Sequence, residues 1–139
     1  MMARALLPSE AFFAEMAEVG TKLGRYTLHE RINAGGMSEI WLATNEVGQS
    51  VAVRLMLNNS LLAFTERKRF LTGAEVLEHL PPHPCVIGYV EHGKIDGELV
   101  LVMEYVEGEN LKLRMGANDP VLAENIAQVL IDLAEALEH

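Results

Sequence analysis

Short runs rich in apolar side chains recur along the chain and predict β-strands. The first two runs place apolar residues on one face, and the run at 51–57 is apolar enough to be buried on both faces. The runs cover residues 26–32, 39–44, 51–57, 86–92 and 98–105. Turn-forming residues separate the first three runs, and the dipeptide Asp96-Gly97, which is typical of hairpins, separates the last two. We therefore predict an antiparallel sheet of five strands. In the first strand, Tyr26, Leu28 and Ile32 should share one face.

A helical period of apolar residues appears between the third and fourth predicted strands. Phe70, Ala74 and Leu77 fall on one side of the segment 64–80, and Pro81-Pro82 ends it. Three further segments have helical features, and they cover residues 8–19, 110–115 and 120–137. The first would be an N-terminal extension capped by Ser9, joined to the sheet by a linker at residues 22–24.

Composition and charge exclude several classes of function. Half of the 139 residues are apolar, so the chain should fold as one domain. The net charge is −9 and the eleven Lys and Arg residues are scattered, so we expect no nucleic-acid partner. The single cysteine, Cys85, is expected to be a small packed residue and suits a reducing compartment. No apolar run is long enough for a membrane span, so a cytoplasmic protein without a membrane contact is predicted.

Four short motifs follow one another in the order of these elements. They are Ile-Asn-Ala-Gly-Gly-Met-Ser-Glu-Ile-Trp-Leu-Ala at 32–43, Val-Ala-Val-Arg at 51–54, His-Pro-Cys-Val-Ile at 83–87 and Leu-Val-Met-Glu-Tyr-Val-Glu-Gly at 101–108. Together they resemble the glycine loop, the strand with the phosphate-binding lysine, the turn after the first helix and the hinge of the bacterial eukaryotic-type Ser/Thr protein kinases. The resemblance runs from about Tyr26 to the end of the chain.

The resemblance implies an α+β fold, namely a kinase-like small lobe with a five-stranded antiparallel sheet and one packed helix. Residues 1–24 would form a helical extension and linker, 25–108 the small lobe through the hinge, and 109–139 the start of the large lobe. Residues 137–139 match what a hexahistidine vector leaves behind. The sequence contains neither His-Arg-Asp nor Asp-Phe-Gly, so no catalytic residue is assigned and this chain alone is not expected to transfer phosphoryl groups.

The resemblance also implies a nucleotide site, with weak ATP binding and magnesium bound only through the nucleotide. Met103 would be the gatekeeper residue, and Glu104 to Val106 the hinge. The full set of expected binding residues is Asn33, Ala34, Gly35, Gly36, Met37, Ser38, Ile40, Ala52, Arg54, Met103, Glu104 and Val106.

Several of these positions depart from the family pattern. Asn33 and Ser38 replace the first and third glycines of the loop, and Ser38 adds bulk where a phosphate should approach the backbone. Arg54 replaces the lysine; it either holds phosphate in a different geometry or extends from the strand and pairs with a nearby acid. The loop is likewise either a weakened phosphate cradle or an ordinary hairpin.

The glutamate that pairs with the lysine in this family aligns with Gly73. Glu75 lies about 200° farther round the helix and should point away from Arg54. Glu66 lies two turns before Gly73 and would reach Arg54 only if the helix slid. The ion pair is therefore predicted to be missing, unless the alignment of this helix is shifted.

The leading hypothesis is a regulatory pseudokinase module that acts through other proteins. One alternative is a fragment of an active Ser/Thr kinase. Another is a self-associating module, because the segment 120–137 is apolar nearly all round and would pair with a second copy. His79 and His83 have a spacing found in metal sites, but Pro81 and Pro82 interrupt the helix between them, so no metal site is predicted.

Overall fold

The structure is a computed structural model that describes residues 17–57 and 63–139. Most of the predicted helix at 8–19 lies outside the described residues, and its last three residues, 17–19, are not helical. In the described part of the chain, no helix combines the length and the apolar character that crossing a bilayer requires.

The described residues form one antiparallel sheet and four helices. The strands are β1 (Lys22–Leu23), β2 (Tyr26–Ala34), β3 (Ser38–Thr44), β4 (Ser50–Met56), β5 (Tyr89–Ile95) and β6 (Glu98–Glu104), in the spatial order β1-β2-β3-β4-β6-β5. The helices are α1 (Ala63–His79), α2 (Leu111–Gly116), α3 (Pro120–Glu124) and α4 (Ile126–Glu138). The predicted α+β class is confirmed, with α1 packed on the sheet.

The sheet has six strands in the described residues rather than the five predicted, because the expected linker at 22–24 contains β1. The two residues just before β1 are also bonded to β2: the Leu28 N–H donates to the Thr21 carbonyl at 2.9 Å, and the Leu28 C=O accepts from the Gly20 N–H at 2.7 Å. A two-residue strand has no hydropathy period, so the sequence pattern could not reveal it.

Two irregularities in β2 overturn the prediction that Ile32 faces the core. The pairing of β2 with β3 shifts register between Leu28 and Glu30 and again between Arg31 and Asn33. Each shift breaks the alternation of faces. Ile32 is therefore 48% exposed, whereas Tyr26 and Leu28 are buried.

Two further boundaries differ from the prediction. The strand expected from residue 86 begins at Tyr89, because Val86 N–H is bonded to the His83 carbonyl in a turn, 3.1 Å away. The single helix expected at 120–137 is divided at Asn125, whose φ of −112° and ψ of 15° are not helical. The side-chain amide of Asn125 donates to the Val121 carbonyl at 2.7 Å, a local bond that competes with the helical pattern.

The two faces of the sheet carry two separate apolar clusters. The larger cluster contains buried residues of β1 to β4 and β6, namely Leu23, Tyr26, Leu28, Trp41, Ala43, Val51, Val53, Leu55, Val100 and Val102. The smaller cluster joins the opposite face to α1 and contains Met56, Phe70, Ala74, Leu99 and Leu101. Phe70 and Ala74 are thus on the packed side of α1, as predicted.

The curled sheet is held by polar contacts between its opposite ends. The Tyr26 hydroxyl of β2 donates to the Glu91 carboxylate of β5, and Arg25 contacts the same carboxylate at 3.1 Å. Burial, and then the hydrogen bond to Glu91, raise the pKa of Tyr26 to about 12.

A second contact between the two ends of the sheet lies nearby, where the Gly24 N–H donates to Asp96 at 2.8 Å. Gly24 has a φ of 54°, and a Cβ there would lie 2.7 Å from the Ile95 side chain, so this position requires glycine.

A fully buried carboxylate, that of Glu39, lies near the start of β3. Glu39 has no exposed surface, and one of its oxygens accepts from the Trp41 indole N–H at 2.9 Å. The other oxygen accepts from the half-exposed Arg31 guanidinium at 3.2 Å. Both oxygens therefore act as acceptors, which offsets the cost of burying this charge.

We expect the free energy of unfolding to fall between about pH 10 and pH 12 because of Tyr26. The folded state binds the phenolic proton more tightly than the unfolded state, so this stabilisation is present below pH 10 and is lost as the pH rises through 12. Tyr26→Phe should lower the free energy of unfolding by about 1–2 kcal/mol near neutral pH. It should also remove the part of the decrease between about pH 10 and pH 12 that the Tyr26 phenol causes. Urea unfolding at a series of pH values measures both effects.

Tyr105→Phe is the control for this experiment, since the Tyr105 phenol makes no hydrogen bond among the described residues. It should unfold with the same pH dependence as the original chain. If Tyr26→Phe also keeps that dependence, Tyr26 does not link the two ends of the sheet in the way described.

Glu39→Gln should lower the free energy of unfolding by about 1–3 kcal/mol. The NH₂ of glutamine cannot accept a hydrogen bond, so it would face either the Trp41 indole N–H or the Arg31 guanidinium, which are both donors. The contact with Trp41 is buried, so water could not replace the lost bond there. Glu30→Gln, on the exposed part of β2, should change stability by less than about 0.5 kcal/mol. Equal effects of the two substitutions in chemical denaturation would show that burial of the Glu39 carboxylate has no special role.

Candidate functional site

The hairpin between β2 and β3 is tied down by backbone bonds. Gly35 N–H donates to the Ser38 carbonyl at 2.9 Å, and Leu57 N–H donates to the Met37 carbonyl at 2.8 Å. Asn33 lies in β2 opposite Ile40 and does not have the positive φ that asparagine tolerates. The loop therefore closes as a hairpin, with Ser38 already part of β3.

Arg54 lies on β4, on the face of the sheet that α1 covers, and pairs in register with Ile40. Its Nε donates to the Ser38 hydroxyl at 3.1 Å. Its guanidinium carbon lies 5.4 Å from the centre of the Phe70 ring of α1, a cation–π distance. Among the described residues no carboxylate forms a salt bridge with Arg54, so the expectation of a nearby acid is wrong and a serine hydroxyl takes that place.

Gly73 of α1 lines the same cavity as Arg54. A Cβ built at Gly73 would have no atom within 4 Å, so open space stands where the alignment predicted a missing glutamate. Glu66 also lines the cavity, but its carboxylate is bonded to Arg69 at 3.5 Å. Glu75 is not among the lining residues. Thus neither acid takes the place of the missing partner.

The cavity between the sheet and α1 has a volume of about 560 Å³. It brings together five of the predicted binding residues, namely Met37, Ser38, Ile40, Arg54 and Met103. Ala52 lies buried on β4 between Leu42 and Met103. The remaining predicted residues lie outside the cavity, in the hairpin (Asn33, Ala34, Gly35 and Gly36) and after Met103 (Glu104 and Val106).

The segment after Met103 shows which groups a ligand could reach. Glu104 is bonded to Gly88 twice, because its N–H donates to the Gly88 carbonyl at 2.7 Å and its carboxylate accepts from the Gly88 N–H at 2.9 Å. Val106 is 63% exposed, and its backbone has no hydrogen-bond partner among the described residues. The Val106 N–H and C=O are therefore available to a polar ligand.

Glu39 is a residue of this region that the sequence pattern did not single out. It follows Ser38 directly and fixes the start of β3 through Trp41 and Arg31. A signal was present, because Glu39 has the same parity in β3 as the buried residues Trp41 and Ala43. An acidic residue at an inward position indicates a buried, paired carboxylate.

The histidine and cysteine residues near the end of α1 have separate environments. His79 Nδ1 contacts the Glu75 carbonyl at 2.7 Å, and His83 Nδ1 accepts from the Cys85 N–H at 3.0 Å. Cys85 is exposed, so the expectation of a packed cysteine is wrong. Its thiol and the carboxylates of Asp132 and Glu135 lie within 4.8 Å of one another, and loss of hydration followed by these two negative charges raises the pKa of the thiol.

Comparison with known proteins identifies the same family along most of the chain. The family model described as protein tyrosine and serine/threonine kinase matches residues 26–139. The serine/threonine-protein kinase PknH of Mycobacterium bovis is 29% identical over 126 residues, which are 90% of this chain and 21% of that protein. PrkC of Bacillus subtilis is 28% identical over 117 residues, or 84% of this chain and 18% of that protein. The chain thus spans about a fifth of the length of these relatives.

The solved kinase domain of Mycobacterium tuberculosis PknI has the same fold. It superposes with a TM-score of 0.60 and 24% sequence identity, over 76% of this chain and 42% of that one. The structural likeness agrees with the sequence match. The chain belongs to the protein tyrosine and serine/threonine kinase family and covers its N-terminal lobe.

Proposed function

We propose that the chain is the nucleotide-facing lobe of a Ser/Thr kinase-like signalling protein with impaired phosphoryl transfer, a regulatory pseudokinase. The observation that carries this proposal is the environment of Arg54, which is bonded to Ser38 and has no carboxylate partner in the described structure. Kinase activity in this family needs a lysine held by a helix glutamate. Here an arginine and a glycine occupy those two positions.

The geometry supports weak phosphate binding rather than productive alignment. A lysine ammonium is a compact charge, whereas the Arg54 guanidinium is planar and longer and prefers bidentate contacts. Its Nε is already bonded to Ser38, and its face is covered by Phe70. The remaining NH₂ groups are directed by these contacts and not by an acid on α1. Phosphates held there would lie away from the position that a lysine and glutamate pair defines.

Nucleotide recognition through the backbone is compatible with this impairment. The exposed Val106 offers an unpaired N–H and C=O to a base, as hinge residues do in this family. The Ser38 side chain reduces the backbone contact that the third loop glycine would allow. We therefore propose ATP as a weakly held ligand, with magnesium bound through its phosphates. The partners of such a module would be other proteins.

ATP should bind the chain weakly in isothermal titration calorimetry, and magnesium should not strengthen the binding. Arg54→Ala should weaken ATP binding about tenfold, because a charge-assisted hydrogen bond to phosphate contributes about 1.5–3 kcal/mol. Lys94→Ala removes an exposed positive charge on β5, away from this site, and should leave the affinity unchanged. Equal weakening by the two substitutions would point to general charge attraction instead of a site at Arg54.

The rival enzymatic hypothesis is an active Ser/Thr kinase, of which this chain is one part. A longer parent protein with intact His-Arg-Asp and Asp-Phe-Gly motifs would favour it. Phosphotransfer assays on that parent separate the two hypotheses. Strong protein phosphorylation would overturn the pseudokinase proposal, and its disappearance in Arg54→Ala would show that Arg54 acts in catalysis. Absence of phosphorylation would support the proposal.

A second candidate function is self-association, and the exposed apolar side chains of α4 favour it. No residue of α4 is buried, and Leu130 and Leu137 are 60% and 87% exposed. Ile126, Ile131 and Leu133 are also about half exposed. An apolar surface of this kind is unfavourable in water and would be covered by a second copy.

Light scattering at micromolar concentration should therefore give the mass of a dimer or a larger assembly. Leu130→Glu should shift the mass to that of a monomer, because it places a charge in the apolar surface. Gln128→Lys changes the charge at a neighbouring exposed position, where a lysine can still donate to Asp132, and should not dissociate the assembly. A monomeric mass for the unaltered chain would contradict self-association.

A further inference from the structure

The cavity between the sheet and α1 has an apolar interior. Its walls include Met56, Phe70, Ala74 and Leu101, all of them less than one-tenth exposed. Ile40, Leu77 and Met103 add further apolar surface. The volume of about 560 Å³ lies within the range of about 300–1,000 Å³ that is usual for small-molecule sites.

The open space beside α1 extends to the surface of the helix at Gly73, which is an exposed position. Phe70 and Ala74 bring one part of α1 onto Met56 and Leu101. At Gly73 the helix has no side chain, and a Cβ there would have no atom within 4 Å. The cavity therefore has room for atoms that the described part of the chain does not supply.

The charges around this cavity favour an anion. Its lining contains two cations, Arg54 and Arg69, and one carboxylate, Glu66. Glu66 contacts Arg69 at 3.5 Å, so these two charges offset each other. Arg54 uses its Nε for Ser38, and its two terminal NH₂ groups have no partner among the described residues. One guanidinium edge is thus left for an external acceptor.

We propose that this cavity is a binding site for a small amphipathic carboxylate. The apolar part of the ligand would pack under α1 against Met56, Phe70 and Leu101, and its carboxylate would accept from the terminal NH₂ groups of Arg54. A planar guanidinium fits a carboxylate in a bidentate arrangement, and the Phe70 ring and the Ser38 hydroxyl hold it in place. The proposal goes beyond nucleotide binding, because it needs neither a base nor the backbone of Val106.

Phenylpropionate is a suitable probe, and its neutral amide, phenylpropionamide, is the matched control ligand. Met37, Met56 and Met103 line the cavity, whereas Met115 lies on α2 and is 62% exposed. In methyl NMR spectra of the chain labelled at methionine, phenylpropionate should shift the signals of Met56 and Met103 in a saturable way and leave that of Met115 unchanged. The amide should bind about tenfold more weakly, because it lacks the charge-assisted bonds to Arg54.

Three variants separate the parts of this proposal. Arg54→Met keeps an apolar stem but removes the cation, so it should bind the acid and the amide equally weakly. Gly73→Leu fills open space without a backbone clash and should abolish binding of both ligands while the chain stays folded. Thr72→Leu, at the neighbouring exposed position of α1, does not reach the cavity and should bind like the original chain.

The proposal is overturned if phenylpropionate produces no saturable shift at Met56 and Met103 in a chain with a dispersed methyl spectrum. Equal affinities for the acid and the amide in the original chain would also overturn it, since Arg54 would then have no part in recognition. Unchanged binding by Gly73→Leu would place the ligand elsewhere. Failure of ATP binding leaves the proposal standing, because the probe is titrated without nucleotide.

Discussion

Strand β4 is paired on both of its edges, with β3 on one side and β6 on the other. Because both edges are bonded, the alternation along β4 determines which side chains reach each face of the sheet. Val53 and Leu55 enter the larger apolar cluster, whereas Arg54 and Met56 face α1. The cation of Arg54 thus lies between the sheet and α1. The chemistry of the candidate site depends on the groups that contact it there, namely the Ser38 hydroxyl and the Phe70 ring.

Arg54 is exposed to water and makes few contacts with the rest of the protein. A serine hydroxyl and an aromatic ring orient the guanidinium, but neither neutralises its charge. Gly73 supplies no carboxylate, and Glu66 is engaged with Arg69. The impaired phosphoryl transfer and the carboxylate site that we propose have this one origin, because the same unpaired guanidinium is poorly placed for catalysis and well placed for binding an anion.

The parts of the fold with a regular period were predictable, and the irregular parts were not. The helix α1 and its packed residues Phe70 and Ala74 follow a period that extends over several turns. Ile32 is exposed although it was predicted to share a face with Tyr26 and Leu28, because the bulges in β2 are backbone features that the hydropathy pattern does not reveal. Asn125 interrupted a helix that is apolar on both sides of it, through a side-chain bond to the Val121 carbonyl.

The sequence by itself determined the family and the order of the elements, since these are properties of neighbours along the chain. The sequence also predicts that Gly73 and Arg54 replace a glutamate and a lysine of the family pattern. Only the tertiary structure decided that Ser38 and Phe70 hold Arg54, that Glu39 is buried, and that Tyr26 meets Glu91 across the curled sheet. These contacts depend on sheet register, curvature and burial, which combine residues far apart in sequence and leave no local pattern.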